Sequence, residues 1–292
     1  MSDDLFDFGE RVERYAVMGN PINHSKSPMI HTLFAQQTNQ SIEYTAIHVD
    51  LGGFDQAVGN FKASGGKGLN ITVPFKEEAW ALATERSDRA ERAGAVNTLK
   101  FVDNKILGEN TDGIGLVTDL TANHGCELKA KRILLLGAGG AARGVIAPLM
   151  EQQPSEIIIA NRTPDRAVGL ADHFADLGQT NGCKISGSGF PGLEGQQFDI
   201  VINATAASLK GEVPPLPNDL LNDNAVCYDM MYGAVPTAFM NWATNHGAAK
   251  VQDGLGMLVE QAAESFYIWR GVRPDTQSVI QTIRHSIAPA SK

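Results

Sequence analysis

The stretch from Arg132 to Ala142 limits the possible folds of this chain more than any other. A short apolar strand, Arg132 to Leu136, runs directly into Gly137-Ala138-Gly139-Gly140-Ala141-Ala142 and then into a helical pattern reaching about Gln152. A second apolar strand, Glu156 to Ala160, follows, so the segment reads as one βαβ unit. Within it Gly137-x-Gly139-x-x-Ala142 opens the helix, where backbone N–H groups of Gly137, Ala138, Gly139, Gly140 and Ala141 can approach a pyrophosphate at the positive end of the helix dipole. A glycine-rich turn without a ligand would explain the glycines alone. It would not explain why they stand between a strand and a helix, so a dinucleotide is the favoured reading.

At the end of the second strand an NAD site would carry Asp or Glu to accept from the ribose 2′-hydroxyl, and this chain has Asn161-Arg162-Thr163-Pro164-Asp165-Arg166. A guanidinium can take a 2′-phosphate in bidentate fashion, which points to NADP over NAD. Arg162 and Arg166 read alternatively as solvated surface charges, a reading with more weight for Arg166, one helical turn further on.

The remaining chain alternates strand-like and helix-like segments, the α/β pattern. Tyr15 to Met18, Glu43 to Val49 and Gly68 to Val73 read as strands, with helices opening at Pro28, Phe54 and Pro74 and with Ser27 as an N-cap. Ala95 to Leu107 reads as a strand-turn-strand about Asp103-Asn104, and Asn110-Thr111-Asp112-Gly113 punctuates the chain before another helix. Phe198 to Asn203 and Ala225 to Asp229 add buried strands, giving three or four in the nucleotide half. Helices are expected from Gly254 to Arg270 and from Thr276 to Ser286, before a polar PASK tail expected to fray. The boundaries that result are 1–111 for a first domain and 112–253 for a doubly wound, Rossmann-like parallel-sheet domain, with 254–292 as C-terminal helices.

Polar residues cluster in the first half. Ser25-Lys26-Ser27-Pro28 places two hydroxyls at a helix start, suited to an anion such as a carboxylate, although plain capping explains it equally well on its own. Asn70-Ile71-Thr72-Val73-Pro74-Phe75-Lys76 puts Asn and Thr at a strand end and a lysine in the first turn of a helix. A cation there is disfavoured by the dipole, which suits it to proton transfer if a carboxylate holds it, and Asp112 is the candidate. Spacing alone does not bring Lys76 and Asp112 together.

Several classes are excluded. With 24 Lys plus Arg against 33 Asp plus Glu the net charge is −9, unfavourable for nucleic acid or anionic membranes. The acidic start, MSDDLFDFGE, lacks the features of a leader, and the longest apolar run falls far short of the roughly 20 residues that cross a bilayer. Cys126, Cys183 and Cys227 form no CxxC pair, which favours a reducing, cytoplasmic setting. No GxSxG, HExxH or Walker lysine pattern is present, the 7 histidines are scattered, and no metal is expected; His24, beside the serines, reads as a structural turn residue more readily than a ligand contact.

Taken together, Asn20-Pro-Ile-Asn-His-Ser-Lys-Ser-Pro28, Asn70-Ile-Thr-Val-Pro-Phe-Lys76, Gly94-Ala-Val-Asn-Thr98, Asn110-Thr-Asp-Gly113, the glycine loop, Asn161-Arg-Thr163, Tyr228-Asp-Met230 and Asp253-Gly-Leu-Gly-Met-Leu258 resemble the bacterial shikimate dehydrogenases over nearly the whole chain. The resemblance implies NADPH-dependent, reversible reduction of 3-dehydroshikimate to shikimate in aromatic precursor synthesis, by a monomer or homodimer in the cytoplasm. It implies Lys76 and Asp112 as the catalytic pair, with Ser25, Ser27 and Tyr232 on the substrate carboxylate. Thr72, Asn97, Asp112 and Gln261 would hold the ring oxygens, which requires the C-terminal helices to return to the first domain. Arg162 would grip the 2′-phosphate, with Asn161, Thr163 and Arg166 beside it, and Thr205, Met230, Gly254 and Met257 would also meet the cofactor. Ala206-Ala207-Ser208 departs from the family, which more often has Ser after Thr205 and a Gly further on, so a cofactor-loop hydrogen bond is expected to be missing. A quinate/shikimate dehydrogenase with relaxed substrate or NAD use is the alternative. A non-catalytic ligand sensor on the same scaffold is a remoter one, disfavoured because Lys76 and Asp112 are both present.

Overall fold

A computed structural model describes residues 12–205, 207 and 211–288. The acidic start, the PASK tail and the departures at Ala206 and Ser208 lie outside the described residues.

Among the described residues the strands form two six-stranded sheets. The first contains β1 (Glu13–Gly19), β2 (Ile42–His48), β3 (Gly66–Ile71), β4 (Glu85–Arg86), β5 (Thr98–Val102) and β6 (Lys105–Glu109), in the order β2-β1-β3-β5-β6-β4. Strand β1 runs parallel to β2 and β3, whereas β5 is antiparallel to β3 and β6. The helices in this part are α1 (Ser27–Thr38), α2 (Phe54–Ala63), α3 (Lys76–Leu82) and α4 (Asp88–Ala93). Next comes α5 (Asp112–Thr118), which continues into a π-helical turn at Asp119–Asn123.

The second sheet is wholly parallel, with β7 (Arg132–Leu136), β8 (Glu156–Ala160), β9 (Lys184–Ser188), β10 (Phe198–Asn203), β11 (Leu221–Asp229) and β12 (Lys250–Asp253) in the order β12-β11-β10-β7-β8-β9. The helices α6 (Gly140–Glu151), α7 (Pro164–His173), α8 (Ala175–Asn181) and α9 (Ala238–Asn245) accompany it. Ile133, Leu135, Ile157, Ile159, Ile200 and Ile202 enter one core cluster, and Leu134, Leu136, Ile158, Ala160 and Val201 enter another. Both faces are therefore covered, which is why these strands read as unbroken apolar runs.

Three expectations need correction. The nucleotide half has six strands where the sequence suggests three or four, because the edge strands β9 and β12 (KISGS and KVQD) are short, polar and only half-buried. Ser27 is the first helical residue, not the N-cap; Lys26 holds that place and the Ser25 hydroxyl accepts from the Ser27 N–H at 3.3 Å. Helix α3 opens at Lys76, with Pro74 in the turn before it.

Two C-terminal helices, α10 (Leu255–Arg270) and α11 (Gln277–Ile287), return to the first half, as the resemblance implies. Leu255, Val259, Ala262, Phe266, Val279 and Ile283 share one buried cluster with Ile30 and Phe34 of α1. Helix α5 lies between α6 and α10 at close range. A Cβ on Gly113 would come within 2.5 Å of the Pro148 side chain and 2.6 Å of the Gly144 carbonyl, and one on Gly115 within 2.8 Å of Gln261. Only hydrogen at these two positions lets α5, with Asp112 at its start, fit between the two helices.

Beneath α1 the His31 ring is fully buried, stacked on Tyr44 with centroids 4.1 Å apart and planes at 7°, and tilted against Trp269. Neither ring nitrogen reaches hydrogen-bond geometry with a described residue. Burial pushes the imidazole down to about 3, opposed in part by the neighbouring Asn70 side chain.

Two predictions come from this packing. Gly113→Ala should destabilise by roughly 2 kcal/mol through overpacking, while Gly169→Ala, in open space on α7, should stabilise by about 0.5–1 kcal/mol; equal midpoints in urea would contradict the wedge. His31 accepts a proton when unfolded near pH 6.5 but in the fold only near 3, so stability is intact above pH 6.5 and falls by up to about 1.4 kcal/mol per pH unit between those values. His31→Phe should flatten that acid slope in urea titrations, and an unchanged slope would assign it to other groups.

Candidate active site

A cavity of about 330 Å³ opens between the two halves. Lining it are Ser25, Ser27, Thr72, Lys76, Asn97, Asp112, Met230, Tyr232, Gly254, Met257 and Gln261, together with Lys26, His24 and Asn70. Residues proposed from widely separated motifs thus meet in one place. The size lies in the usual range for small-molecule sites.

One end is built for an anion. The hydroxyls of Ser25 and Ser27 line the cavity beside the start of α1, where the helix dipole favours an anion, and the Ser25 hydroxyl accepts from the Ser27 N–H. Tyr232 stands opposite. Desolvation, then the nearby Asp253 carboxylate, raises its phenol, which keeps it a hydrogen-bond donor at neutral pH.

At the other end Lys76 Nζ donates to Asp112 Oδ2 at 2.6 Å, both side chains being largely buried. Lys76 is the first residue of α3 and Asp112 the first of α5. The dipole of α5 favours the carboxylate, and that of α3 opposes the ammonium, so the aspartate is what holds the lysine in place. Asn97 Nδ2 donates to Asp112 Oδ1 at 2.8 Å, leaving Oδ2 to the lysine. The backbone N–H of Asp112 donates to Asn110 Oδ1, and Asn110 Nδ2 donates to the Ala95 carbonyl. Lys76 carries three N–H groups and Asp112 takes one, so the others face the cavity with no partner among the described residues. Such a pair can pass a proton to or from an oxygen bound beside it.

Gln261 comes from α10 and reaches Asn97, its Oε1 accepting from Asn97 Nδ2 at 3.4 Å. Asn70 and Lys26 are polar wall residues to which the motifs assign no role, and Asn70 is the buried one. Its position before Thr72 in a polar strand end was the available signal, but its partners come from residues distant in sequence.

The third wall leads to the nucleotide elements. Met230 follows β11 and Gly254 precedes α10; a Cβ on Gly254 would lie 2.2 Å from the Met230 carbonyl, so only glycine allows this approach. At the glycine loop Gly137 has φ +106° and its N–H donates to the Ala160 carbonyl, so that N–H, expected to meet a pyrophosphate, is already used and Gly137 serves the turn instead. A Cβ on Gly139 or Gly140 would meet nothing within 4 Å, and no side chain caps α6. Open space over an uncapped helix start fits a pyrophosphate. Arg162, Thr163 and Arg166 are exposed just beyond β8, and both guanidinium groups lack a partner among the described residues, as a 2′-phosphate site requires. Asn161 Nδ2 donates to the Thr163 carbonyl, shaping that turn. Thr205 is held by Asn203, whose Oδ1 accepts from its N–H and hydroxyl, and the Thr205 hydroxyl accepts from the Ala207 N–H.

Residues 17–99 match the shikimate dehydrogenase substrate binding domain, 119–210 the shikimate/quinate 5-dehydrogenase family and 254–284 the shikimate 5′-dehydrogenase C-terminal domain. The shikimate dehydrogenase (NADP(+)) of Alkalilimnicola ehrlichii is 60% identical over 272 residues, covering 93% of this chain and 98% of that protein. Among solved structures, shikimate 5-dehydrogenase of Thermus thermophilus in complex with NADP(H) and shikimate aligns with a TM-score of 0.82 at 32% identity, covering 94% of this chain and all of that one. The ligand-free 5-ketofructose reductase of Gluconobacter sp. aligns with the same TM-score at 27% identity, covering 95% of this chain and 100% of that one.

Proposed function

The chain belongs to the shikimate dehydrogenase family, and on that premise we propose that it reduces 3-dehydroshikimate reversibly to shikimate with NADPH, supplying aromatic amino acid synthesis. The observation that carries the assignment to particular residues is the 2.6 Å contact of Lys76 with Asp112 on the cavity wall, facing the anion-receptive end.

In this reading Ser25, Ser27 and Tyr232 hold the substrate carboxylate, and Thr72, Asn97, Asp112 and Gln261 hold the ring oxygens. The oxygen on C3 then lies by Lys76 Nζ. Lys76 gives it a proton during reduction and takes that proton back during oxidation, while Asp112 keeps the ammonium on line and balances its charge. NADPH supplies the hydride when bound. Gly137 shapes the turn while backbone N–H groups of Ala138 to Ala141 receive its pyrophosphate, Arg162 grips the 2′-phosphate with Asn161, Thr163 and Arg166 alongside, Thr205 and Met230 also meet the cofactor, and Gly254 and Met257 lie near the nicotinamide.

The domain limits proposed are 1–111 with 254–292 for substrate and 112–253 for NADP. A cytoplasmic location and a monomeric or dimeric state belong to the same proposal. Cys126, Cys183 and Cys227 are all free and buried, which suits a reducing compartment, and no helix among the described residues is long and apolar enough to cross a membrane.

Lys76→Ala should lower turnover by roughly two to four orders of magnitude with little change in shikimate affinity. Steady-state rates and calorimetric binding check this, and near-normal turnover would remove Lys76 from the chemistry. Arg162→Ala should weaken NADP by about ten- to a hundredfold and NAD far less, because only NADP has the 2′-phosphate. Equal weakening of both dinucleotides would refute that role.

A further inference from the structure

Behind the cavity wall lies a chain of buried hydrogen bonds that reaches the Lys76–Asp112 pair without touching the cavity at its central member. Asn97 is fixed first. The backbone N–H of Thr111 lies 2.9 Å from Asn97 Oδ1, and an N–H can only donate, so that atom is the oxygen and the amide nitrogen must face Asp112. The Thr98 hydroxyl donates to the same Oδ1 at 3.0 Å.

Thr98 is in turn held from behind. Asn70 Nδ2 donates to Thr98 Oγ1 at 3.1 Å, to Ser265 Oγ at 2.9 Å and to the Asn97 carbonyl at 3.3 Å. That carbonyl only accepts, so the orientation of the Asn70 amide is also settled. Its Oδ1 accepts from the Tyr44 hydroxyl at 2.7 Å, and burial raises that phenol far above its ordinary range, so it stays protonated. Ser265 of α10 lies 2.7 Å from Thr98 Oγ1. Tyr44, Asn70, Thr98, Asn97 and Ser265 are all buried, Thr98 and Ser265 completely.

We propose that Thr98 is a positioning residue for the reaction: as the centre of the chain Tyr44–Asn70–Thr98–Asn97, it holds the Asn97 amide so that Asp112 presents Oδ2 to Lys76. This rests on the proposed function, since it takes Lys76 and Asp112 as the acting pair. Thr98 does not line the cavity, so it acts only through Asn97. With its hydroxyl gone, Asn97 Oδ1 keeps the Thr111 donors but loses the contact that ties the amide to Asn70 and α10, and the fraction of time Lys76 is correctly placed falls.

The test uses the full chain with Thr98→Val, close in shape but without the hydroxyl, and Thr98→Ser, which retains it. Thermal midpoints establish that each variant is folded, and Ser265→Ala, which removes the hydroxyl that contacts Thr98 from a different element, serves if the valine variant is not. Thr98→Val is expected to lower kcat about three- to tenfold with KM for shikimate nearly unchanged, and to increase the primary isotope effect from 4-deuterated NADPH as the chemical step slows. Thr98→Ser should restore both. Unchanged kcat and isotope effect, or a rise in KM alone, would overturn the proposal. If the unaltered chain shows no shikimate-dependent turnover, the functional reading is what fails. The chain of bonds is then read from the side-chain amide NMR signals of Asn97 and Asn70: displacement of both in Thr98→Val supports it, and no displacement overturns it.

Discussion

Lys76 and Asp112 are 36 residues apart, each at the start of its own helix, and stand 2.6 Å from each other in the cavity wall, where Asn97 and Asn110 hold the aspartate. A largely buried carboxylate needs both of its oxygens hydrogen-bonded, and with Lys76 on one, Asn97 meets that need for the second. Asn97 follows α4 and precedes β5, Asp112 follows β6, and the β5–β6 hairpin brings both to the end of the first sheet. The hairpin is thus the backbone device that converts separation in sequence into contact.

A second constraint is the approach of helices. Because Gly113 and Gly115 carry no side chain, α5 contacts both the helix that follows the glycine loop and the helix that carries Gln261 and Met257. Nucleotide elements and substrate elements thereby meet at one short helix whose first residue is Asp112.

Much of this was legible in the amino-acid sequence. The limits of β7, β8 and β10 agree with the apolar runs, since strands covered on both faces need continuous apolar side chains. The polar motifs at Ser25, Thr72, Asn97 and Asp112 marked the cavity through their resemblance to a family, since capping and turn formation account for Ser25 and Asp112 taken alone. Edge strands β9 and β12 were not legible, being half-exposed and polar. Nor was the role of Asn70 or Thr98, whose partners Tyr44 and Ser265 lie 26 and 167 residues away; only the pairing of strands and the return of α10 make them neighbours. The glycines of α5 were visible as residues but not as contacts, because what they admit comes from other elements.

The scaffold does not by itself fix the substrate, as its likeness to a 5-ketofructose reductase indicates. The most direct measurement is therefore the initial rate of reduced-nicotinamide formation by the purified chain, with shikimate or quinate against NADP or NAD in all four combinations. Rapid turnover confined to shikimate with NADP is the expected result. Comparable rates with quinate or with NAD, or no turnover from folded protein in any combination, would contradict it.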